Sequence, residues 1–130
     1  MIELVSYGVN RGSPPPGPAN FEVDCRLLPD PSKTVFSVPG TDARVGSVVR
    51  AMCPLVDSWL QYVAEVIHRD YESAGLPVYR VHVACSQGYH RAPFVVEQLW
   101  RLLTDRGDEC AVTHFELSGL RDAEGGGGLW

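Results

Sequence analysis

The sequence contains no run of about 18 apolar residues, so no segment of it reads as a membrane-spanning helix. Its opening, MIELVSYGVNRG, lacks a basic stretch followed by an apolar one, and no secretory signal is expected. Cys25, Cys53, Cys85 and Cys110 form no C-x-x-C pair and have no histidine at zinc-finger spacing, which argues against a metal site. Positive charge is also short. Eleven Lys+Arg against 16 Asp+Glu give a net charge of −5, a balance that argues against nucleic acid as the main partner. No internal repeat is visible. What remains is the mix of an ordinary globular domain, 45% hydrophobic and 21% charged over 130 residues. A chain of this size buries roughly two-thirds of its unfolded surface and needs no disulfide to hold a core. The thiols are therefore expected to be reduced and the protein cytoplasmic.

Ile2 to Tyr7 and Phe21 to Leu28 read as strands, separated by the proline-rich stretch Gly12–Pro18. Residues 32–43 read as a loop. Asp42 is placed to cap a short helix through Arg50, and Val56, Trp59, Leu60, Val63, Ile67 and Tyr71 recur at helical spacing until Gly75 and Pro77. Val78 to Ala84 reads as a strand, Ala92 to Asp105 as an amphipathic helix and Cys110 to Leu117 as a last strand. Trp59, Phe94 and Trp100 fit core positions. The order β-β-α-α-β-α-β predicts a single α/β domain, with a small mixed or mostly parallel sheet of about four strands flanked by helices. It is expected to occupy residues 1–118, followed by a Gly-rich tail over 119–130.

The final β-α-β unit carries the chemistry. Its strand runs into Cys85-Ser86-Gln87-Gly88-Tyr89-His90-Arg91, with a helix starting just after. Ligands of open α/β sheets bind outside the carboxyl ends of strands, and a helix N-terminus there favours an anion. Gly88 permits a tight turn, Arg91 offers a planar fork, and His90 and Ser86 offer further donors. The pattern reads as a phosphate cradle. A plain βα turn, with Cys85 buried and Arg91 paired to a surface carboxylate, is the competing reading.

Cys85 and Arg91 form a C-x5-R arrangement that resembles the phosphate loop of cysteine-dependent phosphatases, in which the thiolate attacks phosphorus. This chain has Ala84 where many of those enzymes have His, and Ala92 where they have Ser or Thr. A second resemblance covers nearly the whole chain. Asp24-Cys25-Arg26-Leu27-Leu28-Pro29-Asp30-Pro31 is similar to a D-x-R-x-L-P-N-P segment, and residues 85–92 to a C-T-G-G-x-H-R-S loop. His114-Phe115-Glu116-Leu117 resembles an H-R-D-L segment, Ser6-Tyr7-Gly8 an S-F-G start, and Gly40-Thr41-Asp42 a G-x-D element. All five belong to the C-terminal domain of the RapZ family of RNase adapter and nucleotide-binding proteins.

That resemblance implies a regulatory domain binding an amino-sugar phosphate such as glucosamine 6-phosphate, with no cofactor, and in enterobacteria a small RNA. It places the phosphate on Ser86, Gln87, Gly88, Tyr89, His90 and Arg91, with Asp24 and Arg26 lining the same site and His114 and Asp42 as weaker candidates. For Asp24 and Arg26 a mutual ion pair competes with ligand contact, and for Asp42 a helix cap. The family's full-length members carry an N-terminal nucleotide-binding domain that has no counterpart in these residues. Gln87 replaces a Gly, which narrows the freedom of the loop and puts a side chain near the cradle. Phe115 replaces an Arg and removes a cation, and with a Gly-rich rather than basic C-terminus this counts against RNA. The alternatives are an enzyme with Cys85 as nucleophile and Asp24 or Asp42 as acid, and an RNA-binding adaptor. A protein partner and self-association are left open.

Overall fold

A computed structural model describes residues 1–12, 15 and 17–117. Four parallel strands form one sheet in the order β2–β3–β1–β4, with β1 at Ile2–Gly8, β2 at Phe21–Asp24, β3 at Tyr79–Cys85 and β4 at Cys110–His114. The expected tail, residues 119–130, lies outside the described residues.

The sheet is accompanied by helices α1 (Ser32–Val35), α2 (Ala43–Met52), α3 (Val56–Ala74) and α4 (Arg91–Asp105). Helices α1–α3 connect β2 to β3, and α4 carries the chain from β3 across β1 to β4. Both crossovers advance in the same direction across the sheet. The right-handed rule then puts their helices on one face, where α3 and α4 pack on each other. Ile2, Leu4, Val23, Val81 and Val83 of the strands share one core with Val56, Leu60 and Ile67 of α3 and Val95, Leu99 and Leu103 of α4. Among its described residues the connection from β1 to β2 has no α-helix. It contains the proline-rich stretch and returns to the sheet where Asn20 and Arg80 exchange two hydrogen bonds, Asn20 N–H to the Arg80 carbonyl and Arg80 N–H to Asn20 Oδ1, both 2.8 Å.

Asp42 caps α2 as expected, accepting the Arg44 N–H at 2.9 Å, and Gly75 closes α3. Four expectations need correction. The strand predicted over 21–28 stops at Asp24, because the Asp24 carboxylate accepts the Arg26 N–H and turns the chain into a 3-10 turn at Cys25–Leu27. The loop predicted over 32–43 contains α1, anchored by buried Val35. The last strand ends at His114, and residues 115–117 are helical. Trp100, assigned to the core, is 39% exposed, and Trp59 is only partly buried. Phe94 is buried as predicted.

Candidate functional site

The loop from Cys85 to Arg91 is wound around the Cys85 sulfur. Sγ accepts the N–H of Gly88 at 3.2 Å and that of Ala92 at 3.4 Å. Cys85 is buried, so the thiol forms the floor of the loop rather than its surface. Gly88 has φ +72, and a Cβ there would lie 2.6 Å from Gly8 N, so the turn requires glycine on both counts. Gly40 meets a tighter limit. A Cβ at that position would lie 1.9 Å from the His90 carbonyl oxygen, and the Gly40 N–H donates to the Tyr89 carbonyl at 2.7 Å. Two glycines distant in sequence, Gly8 and Gly40, thus clamp the loop from both sides.

Arg91 is buried, and Nη1 donates to the Leu28 carbonyl at 3.1 Å and to the Arg26 carbonyl at 3.4 Å. Nη2 donates to Ser86 Oγ at 3.3 Å. Among the described residues no carboxylate lies within 4.0 Å of this guanidinium. His90 is held through Nε2, which donates to the Val35 carbonyl at 2.9 Å and therefore carries the proton. Only a doubly protonated ring could offer Nδ1–H to an anion, which narrows the donor role expected of His90. The Tyr89 hydroxyl donates to the Ser37 carbonyl at 3.4 Å.

These residues border a cleft of about 480 Å³, a volume in the range of small-molecule sites. Ser86, Gln87, Tyr89, His90 and Arg91 line it, with Ser32, Phe36 and Ser37 from the α1 segment and Arg11, Asp30 and Glu116 supplying charge. Ser32 N–H donates to Asp30 Oδ1 and holds that carboxyl below its usual range. Glu116 Oε2 accepts the Gly8 N–H at 3.2 Å. Arg11, Asp30, Phe36 and Glu116 are cleft residues that the sequence reading did not select. Asp30 and Glu116 lie inside the quoted family segments and could have been found there, whereas Arg11 and Phe36 carry no motif.

Asp24 and Arg26 form a bidentate, half-exposed ion pair closing to 2.8 Å, and the hydrogen bonds from Arg26 hold the Asp24 carboxyl below its usual range. They line a second, smaller cleft with Tyr7, Glu22 and His82, and are not among the residues lining the first. The hydrogen bond that ties Arg26 to the loop runs through its carbonyl oxygen, not its guanidinium. Asp42 is taken up by the α2 cap and by the Arg44 guanidinium, which together lower its pKa to about 2. His114 bridges Ser6 Oγ and Glu97 Oε2, each at 2.8 Å, and this contact holds the Glu97 carboxyl below its usual range. All four cysteines are free.

The model of the RapZ C-terminal domain matches residues 1–118. The chain belongs to that family. It is 31% identical over 111 residues to a nucleotide-binding protein of Pseudothermotoga lettingae, covering 82% of this chain and 39% of the relative. A nucleotide-binding protein of Corynebacterium aurimucosum is 32% identical over 127 residues, covering 90% and 41%, and one of Corynebacterium jeikeium is 30% identical over 121 residues, covering 89% and 40%. The chain thus spans about two-fifths of the length of these curated relatives. Among its described residues no helix is long and apolar enough to cross a membrane.

Proposed function

We propose that this RapZ C-terminal domain binds a small phosphorylated molecule in the cleft over residues 86–91 and acts as a regulatory module, with an amino-sugar phosphate such as glucosamine 6-phosphate as the candidate ligand. The observation that carries this reading is Arg91. A buried guanidinium with no carboxylate partner among the described residues is costly, and a phosphate oxygen supplies both the counter-charge and an acceptor. Three acceptors already fix the fork, so little ordering is left to be done on binding. Asp30 and Glu116 in the same cleft suit hydroxyl or ammonium donors, and the amine of an amino sugar meets that requirement. A cytoplasmic location goes with the proposal, since four free thiols persist in a reducing compartment.

Thermal melting with inorganic phosphate, glucosamine 6-phosphate and AMP tests it. A ligand at about 100 times its Kd stabilises the fold by about 2.7 kcal/mol, a shift of several degrees. Arg91→Lys keeps the charge but loses the fork, and the expected result is at least a tenfold loss of affinity. Melting that no phosphorylated compound moves at about 10 mM would refute the reading.

A second reading rests on the Cys85 sulfur, which two backbone amides address within a C-x5-R loop. As an enzyme, the chain would use Cys85 as nucleophile and Arg91 as clamp. The acid is the difficulty, because Asp24 and Asp42 are each tied to an arginine. Hydrolysis of p-nitrophenyl phosphate that disappears in Cys85→Ser would support it, and no turnover would retire it. An RNA-binding adaptor has less support, since Arg26, Arg44, Arg50, Arg80 and Arg106 all face carboxylates.

A further inference from the structure

Phe36 stands out among the cleft residues. Its side chain is 79% exposed although it lines the cleft beside the loop. Its backbone is fixed on both sides: the Val35 carbonyl accepts from His90 Nε2, and the Ser37 carbonyl accepts from the Tyr89 hydroxyl. Both tethers run to residues of the phosphate loop itself. Buried Val35 anchors the same turn from below, and Pro39 bounds it. Leu55 and Tyr62 are nearly as exposed elsewhere on the surface, but Phe36 is the large apolar ring held at a set position in the lining of the cleft, beside the anion cradle.

We infer that Phe36 is the specificity-determining wall of this cleft, an aromatic platform for the apolar face of a pyranose ring whose phosphate sits on the 86–91 loop. This rests on the sugar-phosphate reading above and adds the residue that faces the sugar ring. The rest of the lining favours a sugar over a nucleobase. Asp30 and Glu116 accept hydrogen bonds, and a ring carrying hydroxyl donors around its edge and C–H groups on its face satisfies both the carboxylates and the phenyl ring. A purine would stack on Phe36 but brings fewer donors for two carboxylates.

The experiment measures the affinities of inorganic phosphate, glucosamine 6-phosphate, glycerol 3-phosphate and AMP by calorimetry, for the wild type, Phe36→Ala and Phe36→Trp. Phe36 is exposed, so neither substitution threatens the fold, and matching circular dichroism melts check this. A contact with an aromatic face corresponds to a loss of about 5- to 10-fold. Phe36→Ala should weaken glucosamine 6-phosphate by that factor, leave inorganic phosphate and glycerol 3-phosphate within twofold, and be rescued by Phe36→Trp. Equal loss for all ligands, or no loss for the sugar phosphate, would overturn the platform while leaving the phosphate site standing. A loss confined to AMP would overturn the pyranose assignment. Failure of every ligand, inorganic phosphate included, to bind the wild type would overturn the phosphate reading and the platform with it.

Discussion

Arg91→Ala is the substitution that a ligand-binding argument suggests first, and the structure predicts that it also costs stability. The Nη1 bond to the Leu28 carbonyl, at 3.1 Å, is the well-formed one, while those to the Arg26 carbonyl and Ser86 Oγ are long at 3.4 and 3.3 Å. A hydrogen bond from a charged donor contributes about 1.5–3 kcal/mol, and two longer ones add less than that together. Against this stands the removal of a buried cation that forms no ion pair among the described residues, which returns part of the loss. Because three acceptors already compensate the guanidinium, the lost bonds outweigh the relieved charge. The net expectation is about 2 kcal/mol of destabilisation, or a fall in Tm of about 6–10 °C for a domain of this size. Urea unfolding followed by tryptophan fluorescence measures it, with an unchanged m-value required for a two-state comparison. A variant as stable as the wild type, or more stable, would refute the assignment of Arg91 as a structural tie between α4 and the β2–α1 connection. It follows that binding to this variant has to be read as the ligand-induced shift and not as Tm alone.

Burial lowers the His82 pKa, and Nε2 of this ring is buried without a hydrogen-bond partner among the described residues. The unfolded chain therefore takes up the proton first, near pH 6.5, so this contribution to stability is complete above that pH and is lost as pH falls through the lower folded value. Urea midpoints between pH 7.5 and 5 should fall less in His82→Leu than in the wild type, and parallel falls would contradict the linkage. Gly40→Ala drives a Cβ to 1.9 Å from a backbone oxygen of the loop, and a loss near the upper end of about 1–3 kcal/mol is expected, with weaker phosphate binding as α4 shifts. Denaturation and calorimetry on the same sample check both effects, and a variant unchanged in either would show that the clamp is slack. His114→Phe strips a partner from the buried Ser6 hydroxyl, at a cost of about 1–3 kcal/mol, and releases the Glu97 carboxyl toward its ordinary pKa. Because that pKa is lowered in the fold, the stabilisation from Glu97 is present above the ordinary carboxylate range and is lost as pH falls through the lowered value. A Glu97 titration by NMR that does not move in the variant would refute the pairing.

The sheet and its helices were legible because period and punctuation agreed: the 3.6-residue spacing of α3 ends at Gly75, and the last β-α-β unit has a loop between two clear patterns. The shortening of β2 was not legible, since Phe21 to Leu28 alternates plausibly and only the Asp24 side chain, reaching the Arg26 N–H, breaks it. Trp100 illustrates the opposite limit, a periodic apolar position that stays 39% exposed among the described residues. The loop itself could be located from composition, but its use of donors could not. His90 and Arg91 direct their N–H groups at the carbonyls of Val35, Leu28 and Arg26, residues 55 to 65 positions away. Gly8 and Gly40 entered the sequence reading as punctuation and as parts of family segments, not as clearance for the loop. Their physical reason, clearance for the loop backbone, is a tertiary contact that no local pattern encodes.

The distribution of charge yields one more test. The net charge of −5 weighs against an extended polyanion, and the structure sharpens the point by pairing Arg26, Arg44, Arg50, Arg80 and Arg106 with carboxylates. Arg91 differs from these in being buried without such a partner among the described residues. Surface pairs are screened by salt within about 10 Å at 0.1 M, whereas a buried guanidinium is screened far less. A ligand held chiefly by Arg91 and backbone amides should therefore bind with a shallow dependence on salt. The slope of log K against log salt is expected to be no steeper than about −1, against several units for a partner that neutralises many phosphates. Isothermal titration of glucosamine 6-phosphate between 50 and 500 mM NaCl, roughly one decade, measures that slope. A steep slope would mean that exposed cations such as Arg11 carry the binding, and it would move the site from the floor of the cleft to its rim.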